Sequence, residues 1–184
     1  MSNHQSIGLI EVSSIVAGFT VTDTMLKAAN IKLLLARSIC SGKYMVLISG
    51  DVSSVKSAIH VGCLTARGFL IDHTVLPRIH PDVLTAIGRS SAAEPSGALG
   101  IFESFNIVSL IEAADAAVKT ADVHVLEIRL AMAMGGKAFA SFTGDVSSVQ
   151  AAVDTGKRVI SEAGVLVNAV VIPRPHADVY REVL

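Results

Sequence analysis

The chain is short of aromatic and charged side chains and has no tryptophan. Aromatic residues make up 4% of its 184 residues. Charged residues make up 17%, whereas a typical soluble domain has about 25%. Apolar residues, by contrast, make up 51%. A monomer of this size cannot easily bury so many apolar side chains, so we expect extensive contacts between subunits to cover them.

No run of apolar residues is long enough to cross a membrane. A spanning helix needs about 20 consecutive apolar residues, and charges such as Lys32, Arg37 and Lys43 interrupt every candidate segment. The polar segment from Met1 to Ser6 lacks the basic and then apolar order of a secretion signal. A formal net charge of −1 without a basic stripe argues against nucleic acid as a partner. We therefore expect a cytoplasmic protein that binds neither membrane nor nucleic acid.

Cysteine, histidine and acidic residues are too scattered to form the common site motifs. The two cysteines, Cys40 and Cys63, do not suggest a disulfide framework. The sequence has no His-x-x-x-His or Cys-x-x-Cys pattern, which argues against a zinc site. No pair of Asp or Glu residues stands out as a general acid and base. We therefore expect no catalytic residues and no enzymatic activity.

The sequence contains an internal repeat. Three segments of the first half recur in the same order in the second: Ile7–Glu11 as Leu99–Glu103, Gly50–Val55 unchanged as Gly144–Val149, and Pro77–His80 as Pro173–His176. The separation between matching residues grows from 92 (Gly8 to Gly100) to 94 (Gly50 to Gly144) and then 96 (Pro77 to Pro173). This drift indicates two small insertions in the second copy, one of them between Lys119 and Gly136. Two copies are too few for a solenoid, so each is expected to be a domain.

Each copy is predicted to be a domain of mixed helices and strands, of fold class α/β (more narrowly α+β). Its arrangement is predicted to be ferredoxin-like. The domains are expected at residues 1–88 and 97–184, because Gly, Ser and Pro gather between roughly 86 and 96. The apolar pattern predicts the order β-α-β-β-α-β in both copies, the split βαβ arrangement. The first copy is predicted to contain Ile7–Glu11, Ile15–Ala29, Lys32–Ile39, Lys43–Ser49, Val52–Arg67 and Phe69–Leu76 in that order. The second copy is predicted to contain Leu99–Glu103, Ile107–Lys119, Val123–Met132, Lys137–Thr143, Val146–Ala163 and Leu166–Ile172.

Several short segments resemble the shell domain of bacterial microcompartments. They are Ile7–Glu11, Lys27–Asn30, Gly42–Lys43, Gly50–Val52 and Val170–His176. The resemblance covers nearly the whole chain, twice, in the family's unpermuted order. Family members form hexagonal tiles, and a chain with two such domains forms a homotrimer that imitates a hexamer. The resemblance thus implies a structural shell protein whose partners are its own copies and other shell proteins.

The resemblance also implies a pore on the axis of the tile. The loops lining it contain Ser38, Ile39, Ser41 and Gly42 in the first copy, and Ala133, Met134 and Gly135 in the second. The segment Ser38–Lys43 resembles the pore loop of tandem-domain shell proteins of the propanediol-utilisation type, in which one cysteine from each of three chains holds a 4Fe–4S cluster. Cys40 matches that cysteine, which implies one cluster per trimer, electron transfer across the shell and an encapsulated redox enzyme as a partner.

Two other functions remain open at this stage. A cluster usually takes about four thiolates, so Cys40 can serve only if a threefold axis repeats it; otherwise it is a small apolar residue at a strand end. In that case the tile has a gated metabolite-transport pore without a metal. Duplicated ferredoxin-like domains also occur in regulators that bind small molecules. Cys63 is interpreted as a core residue in either case.

Four basic residues are assigned by the resemblance to the edge of the tile: Lys27, Lys119, Arg78 and Arg174. The two lysines end matching helices, and each arginine follows a proline. The alternative for the lysines is that they are solvated side chains that stabilise a helix C-terminus. His80 and His176 match each other in the repeat, which favours a structural role at the same edge.

Overall fold

The computed structural model describes residues 6–88, 94, 96–131 and 134–183. The chain forms two compact units, Met1–Ile79 and His80–Leu184. The first unit therefore ends nine residues before Gly88, where the sequence placed the domain boundary, because the helix after Ile79 packs within the second unit. Among the described residues, no helix is long and apolar enough to cross a membrane.

The first unit contains four strands and two long helices. In chain order they are β1 (Ser6–Val12), α1 (Ile15–Ala28), β2 (Lys32–Ile39), β3 (Lys43–Gly50), α2 (Val52–Ala66) and β4 (Leu70–Leu76). The sheet order is β2-β3-β1-β4, and every neighbouring pair is antiparallel. This is the predicted ferredoxin-like arrangement, which is confirmed.

The second unit repeats this fold and adds a short helix at each end. It contains α3 (Pro81–Ile87), β5 (Ala98–Ser104), α4 (Ile107–Thr120), β6 (His124–Arg129), β7 (Ala138–Gly144), α5 (Val146–Glu162), β8 (Leu166–Ile172) and α6 (Ala177–Val183). Its sheet order, β6-β7-β5-β8, matches that of the first unit and is again antiparallel.

Helices α3 and α6 were not predicted, because seven residues are too few to show helical periodicity. Their start signals are nevertheless present in the sequence. The His80 side chain accepts a hydrogen bond from the Asp82 N–H at 3.3 Å, and Pro81 stands in the first turn. His176 caps α6 in the same way, with its Nδ1 atom 3.3 Å from the Asp178 nitrogen. The repeated Pro-Arg-x-His segments therefore each lead into a helix.

Strand register locates the first predicted insertion. Arg37 pairs with Met45 across β2 and β3, and Arg129 pairs with Phe139 across β6 and β7. The two arginines are 92 residues apart and their partners 94 apart, so two extra residues lie in the loop between β6 and β7. The insertion predicted between Lys119 and Gly136 is confirmed, and it falls in the predicted pore loop of the second copy.

The unchanged hexapeptide of the repeat forms the start of α2 and α5. The Ser53 hydroxyl donates to the Asp51 carboxylate at 2.6 Å, and the Ser54 N–H donates to it at 2.9 Å. These bonds hold the pKa of Asp51 well below its usual range. The equivalent bonds, led by that of Ser147, lower the pKa of Asp145 to about 2. Both carboxylates thus cap a helix in their ionised form.

These caps predict an acid-dependent loss of stability. Their folded pKa values lie below the unfolded value of about 3.9, so their stabilisation is present above that pH and is lost as the pH falls toward the folded values. The variant Asp51→Asn/Asp145→Asn keeps a capping oxygen but cannot titrate there. We expect its melting temperature, followed by circular dichroism, to fall less between pH 4 and pH 2 than that of the unaltered chain. Equal falls would contradict the assignment.

Glycines of the repeat lie where a strand and a helix come closest. A Cβ atom on Gly8 of β1 would lie 2.7 Å from Ile59 Cγ1 on α2. The equivalent Gly100 of β5 would place its Cβ 2.6 Å from Val149 Cγ1 on α5. Both distances are far below van der Waals contact, so a side chain at either glycine would force the facing side chains or their helix to shift. This packing accounts for the glycine in each copy of the first repeated segment.

Candidate functional site

The predicted pore loop of the first copy is a three-residue turn between two paired strands. Ile39, the last residue of β2, pairs with Lys43, the first residue of β3. Cys40–Gly42 form one turn of 3-10 helix between them. Ser41 and Gly42 adopt left-handed backbone angles, with φ of 65° and 72°. Two successive left-handed residues reverse the chain sharply, and this leaves Cys40 at the start of the reversal.

The structure places the predicted pore residues of this copy at one end of a hairpin, but they differ in how exposed they are. Ser38, Ser41 and Gly42 are exposed, and the Cys40 side chain is half-buried. Ile39 instead is buried and anchors the end of β2. The turn thus presents three polar or small residues and one thiol at the end of the hairpin.

The second loop has the same turn with a different residue before it. Gly135 and Gly136 have φ of 61° and 84°, which repeat the left-handed pair of the first loop. Met134, half-buried, therefore occupies the position of Cys40. The Lys137 N–H donates to the Met134 carbonyl at 3.2 Å and closes the turn. Ala133, also predicted to line the pore, lies outside the described residues.

Beside the first turn lies a buried ion pair that the sequence analysis missed. Lys43 Nζ lies 2.9 Å from Glu11 Oε1, and the two side chains are only 20% and 1% exposed. The equivalent pair, Lys137 and Glu103, also lies at 2.9 Å but is 38% and 28% exposed. Each pair ties the lysine near the start of one inner strand to the other inner strand of its sheet. The signal was present, because both members of the pair recur in the repeat.

The second cysteine has no part in this turn. Cys63 lies on α2 and packs against the hydrophobic core of the first unit, as predicted. Burial raises the pKa of its thiol, which disfavours the thiolate that a metal requires. The two cysteines do not form a disulfide. Cys40 is therefore the cysteine that belongs to the predicted pore loop.

A single copy of the chain cannot complete an iron–sulfur site. Within the described ranges, no three His, Cys, Asp or Glu side chains are grouped so that they hold a metal. The donor chemistry of Cys40 nevertheless fits, because thiolates are the ligands of iron–sulfur clusters. Its side chain is half-buried, and the two residues that follow it, Ser41 and Gly42, are exposed. Any cluster here requires Cys40 from several copies.

The four basic residues assigned to the tile edge are all exposed. Lys27 and Lys119 fall in the last turns of α1 and α4. Arg78 and Arg174 follow β4 and β8 and are exposed. The structure adds one contact to each lysine, an ion pair with the aspartate four residues earlier at 2.6 Å and 2.5 Å. Their role at an edge stays a prediction.

Comparisons with known proteins agree with the repeat. The BMC domain family matches residues 6–79 and again residues 98–175. The chain is 40% identical to the bacterial microcompartment shell protein PduT of Citrobacter freundii, over 98% of each chain. It is 31% identical to the carboxysome assembly protein CcmO of Synechococcus elongatus, over 96% of this chain and 67% of that one.

A solved structure shows the same two-unit fold. A microcompartment protein from Desulfitobacterium hafniense superposes with a TM-score of 0.88 and 49% sequence identity, over 96% of this chain and 98% of that one. Fold, repeat and sequence identity therefore point to one family. The chain belongs to the bacterial microcompartment shell proteins and carries their BMC domain twice.

Proposed function

We propose that the chain forms a homotrimer with pseudo-sixfold shape, and that this trimer tiles the shell together with other shell proteins. The duplicated BMC domain supports this, because three copies supply six similar domains. The surface supports it as well: Val16, Leu64 and Phe69 are large, exposed apolar side chains that line one hollow of the first unit. Such a patch favours association over a monomeric state. The role is structural rather than enzymatic.

The trimer is tested by its mass in solution. Light scattering on the purified chain at micromolar concentration should give three times the mass of one chain, 19.2 kDa. A stable monomer at that concentration would contradict the assembly.

We further propose that three copies of Cys40 hold a 4Fe–4S cluster in the pore of this trimer. The observation that carries the proposal is the position of Cys40 at the start of a tight turn, half-buried beside two exposed residues. When bound, the cluster supplies one-electron transfer between the two sides of the shell and to a redox enzyme inside. The chain supplies the thiolates, and Ile39 and Lys43 fix the two ends of the turn that carries them.

Anaerobic reconstitution tests the metal site directly. The unaltered chain and the Cys63→Ser variant should take up iron and sulfide and become coloured, whereas Cys40→Ser should not. All three proteins should keep the same mass, because Cys40 lies in a turn and not in the core. Equal uptake by Cys40→Ser and the unaltered chain would overturn the metal site and favour the metal-free transport pore.

The edge assignment predicts the loss of sheets without the loss of trimers. We expect Lys27→Glu to place unmatched negative charge at the join between tiles and to suppress sheets in electron micrographs of the concentrated protein. Lys27 is preferred to Lys119, since Lys119 pairs with the buried Asp115 and its reversal would also disturb the unit. Lys157→Glu on α5, a solvent-exposed lysine outside the assigned edge, is the control. Normal sheets from Lys27→Glu would show that Lys27 is an ordinary solvated side chain.

A further inference from the structure

Each repeated Pro-Arg-x-His segment ends in a histidine whose ring nitrogen caps a helix. His80 Nδ1 accepts the N–H of Asp82 at 3.3 Å, and His176 Nδ1 accepts the N–H of Asp178 at the same distance. A ring nitrogen accepts a hydrogen bond only while it carries no proton. Both caps therefore require a neutral imidazole.

A carboxylate stands beside each of these ring nitrogens. Asp82 Oδ2 lies 4.0 Å from His80 Nδ1, and Asp178 Oδ2 lies 3.4 Å from His176 Nδ1. A proton added at Nδ1 breaks the bond to the backbone N–H and pairs the ring with the carboxylate instead. The same two residues stay neighbours in both states, and what changes is the charge of the ring.

The other charged groups near His80 already balance in pairs. Helix α3 packs against α4 and β6. On α4, Asp115 accepts the His80 backbone N–H at 2.8 Å and also pairs with Lys119. On β6, Glu127 pairs with Arg129 at 2.7 Å, and His124 stands at the start of the strand. A proton on the His80 ring therefore adds a positive charge that these pairs do not offset.

His176 has a simpler environment with the same consequence. Helix α6 packs on its own unit through Tyr180, which contacts the apolar residues Leu99 and Leu126. Asp178 supplies the charge beside the ring, and the His176 side chain is 76% exposed. Protonation of His176 thus also adds charge at the surface.

The cations assigned to the tile edge are balanced one by one while the rings are neutral. Lys27 pairs with Asp23, and Lys119 pairs with Asp115. Segments 77–82 and 173–178 each contain one arginine and one aspartate. The formal charge of each segment is therefore zero with a neutral histidine and +1 with a protonated one. Three copies with two segments each change the edge of a trimer by six charges.

We propose that His80 and His176 form a pH switch that separates tiles. While the rings are neutral, the edge is balanced and one tile joins another. As the pH falls through the range in which imidazole takes up its proton, about 8 to 5, positive charge builds up on both sides of each join and the tiles repel each other. This proposal deepens the proposed tiling and rests on it.

The pH dependence of sheet formation tests the switch. Ordered sheets of the unaltered chain are counted in electron micrographs at pH 8 and at pH 5.5, in 0.15 M salt, and light scattering gives the mass of the unassembled protein. We expect about tenfold fewer sheets at pH 5.5, with the mass of the trimer unchanged. In 1 M salt the sheets should return at pH 5.5, because the Debye length falls from about 8 Å to about 3 Å.

Replacement of both histidines by asparagine removes the titration but keeps a cap. Asparagine also caps helices and carries no titratable proton, so in His80→Asn/His176→Asn the ratio of sheets at pH 5.5 to sheets at pH 8 should stay within about twofold of one. His60→Gln/His73→Gln is the matched control, since it removes two exposed histidines outside the segments. It should lose its sheets as the unaltered chain does.

A second variant tests the charge balance without changing a histidine. Asp82→Asn/Asp178→Asn removes the carboxylate of each segment, and these side chains are 47% and 65% exposed. Each segment then carries a charge of +1 already at pH 8. Sheets should be scarce at that pH in 0.15 M salt and should return in 1 M salt.

The outcomes separate the switch from the tile. Loss of sheets at pH 5.5 in the unaltered chain and the glutamine control, but not in the asparagine variant, supports the switch. No loss in the unaltered chain, or an equal loss in the asparagine variant, overturns it and leaves the proposed function standing. If the asparagine variant forms no sheets at pH 8, normal sheets of Asp82→Asn/Asp178→Asn at that pH overturn the switch, and their loss with recovery in salt supports it. An unaltered chain that is monomeric or forms no sheets at pH 8 overturns the proposed function and the switch with it.

Discussion

Replacing Lys43 with methionine is expected to lower the free energy of unfolding by about 3 kcal/mol. The substitution keeps most of the volume of the side chain but removes the ammonium 2.9 Å from Glu11. Glu11 is 1% exposed and lies on an inner strand of its sheet, so its carboxylate loses a charged partner without regaining water. The penalty is therefore that of a buried charge whose ion pair has been broken.

The repeat provides the control for this experiment. Lys137→Met removes the matching ammonium from Glu103, but both side chains of that pair are about a third exposed and water can replace the lost contact. We expect a loss below about 1 kcal/mol there. Urea denaturation followed by circular dichroism, at one protein concentration for all variants, gives both values. Similar losses at the two sites would show that burial does not decide the strength of these pairs.

Replacing Gly156 with leucine is expected to cost about 3 kcal/mol or more. A Cβ at this position on α5 would lie 2.3 Å from Cε1 of Phe102, a fully buried ring. Phe102 cannot retreat easily, because its ring is packed against Phe142 with 5.0 Å between the ring centroids. The strain has to be taken up by the helix or by the sheet beneath it.

Gly68→Leu is the matched substitution in open space. Apart from Gly68 itself, its two chain neighbours and nearby backbone of its own helix, no atom of the described residues lies within 4 Å of a Cβ built there, so we expect a change within about 0.5 kcal/mol. Thermal or chemical unfolding of both variants measures the difference. A Gly156→Leu protein as stable as Gly68→Leu would mean that the α5–β5 packing is looser than the structure indicates.

The long elements could be predicted from the sequence because their apolar patterns are continuous. The strand predicted at Lys32–Ile39 has those bounds, and the helix predicted at Ile15–Ala29 ends one residue earlier. The strand predicted from Val123 to Met132 was too long. It ends at Arg129, the last residue of β6 that pairs with β7.

The candidate site was only partly predictable, because its parts depend on different kinds of information. The turn at Cys40 follows from a local pattern, a strand end before a glycine, and from the family resemblance. The ion pair between Glu11 and Lys43 joins residues 32 positions apart, so only the strand register reveals it. The packing of α3 is likewise not visible locally: the first compact unit ends at Ile79, and nothing in the sequence around α3 indicates on which unit it packs.

The two turns share the same backbone requirement but carry different side chains before it. Left-handed backbone angles occur at Ser41–Gly42 and at Gly135–Gly136. The preceding residues, Cys40 and Met134, need no such angles. The reactive side chain and the conformation that presents it are therefore encoded by different residues. Exchange of the two, by Cys40→Met and Met134→Cys, would move the thiol to the other domain and keep both turns. A fused duplication can thus diversify one domain's loop chemistry while the other copy keeps its own, which a chain with a single domain cannot do.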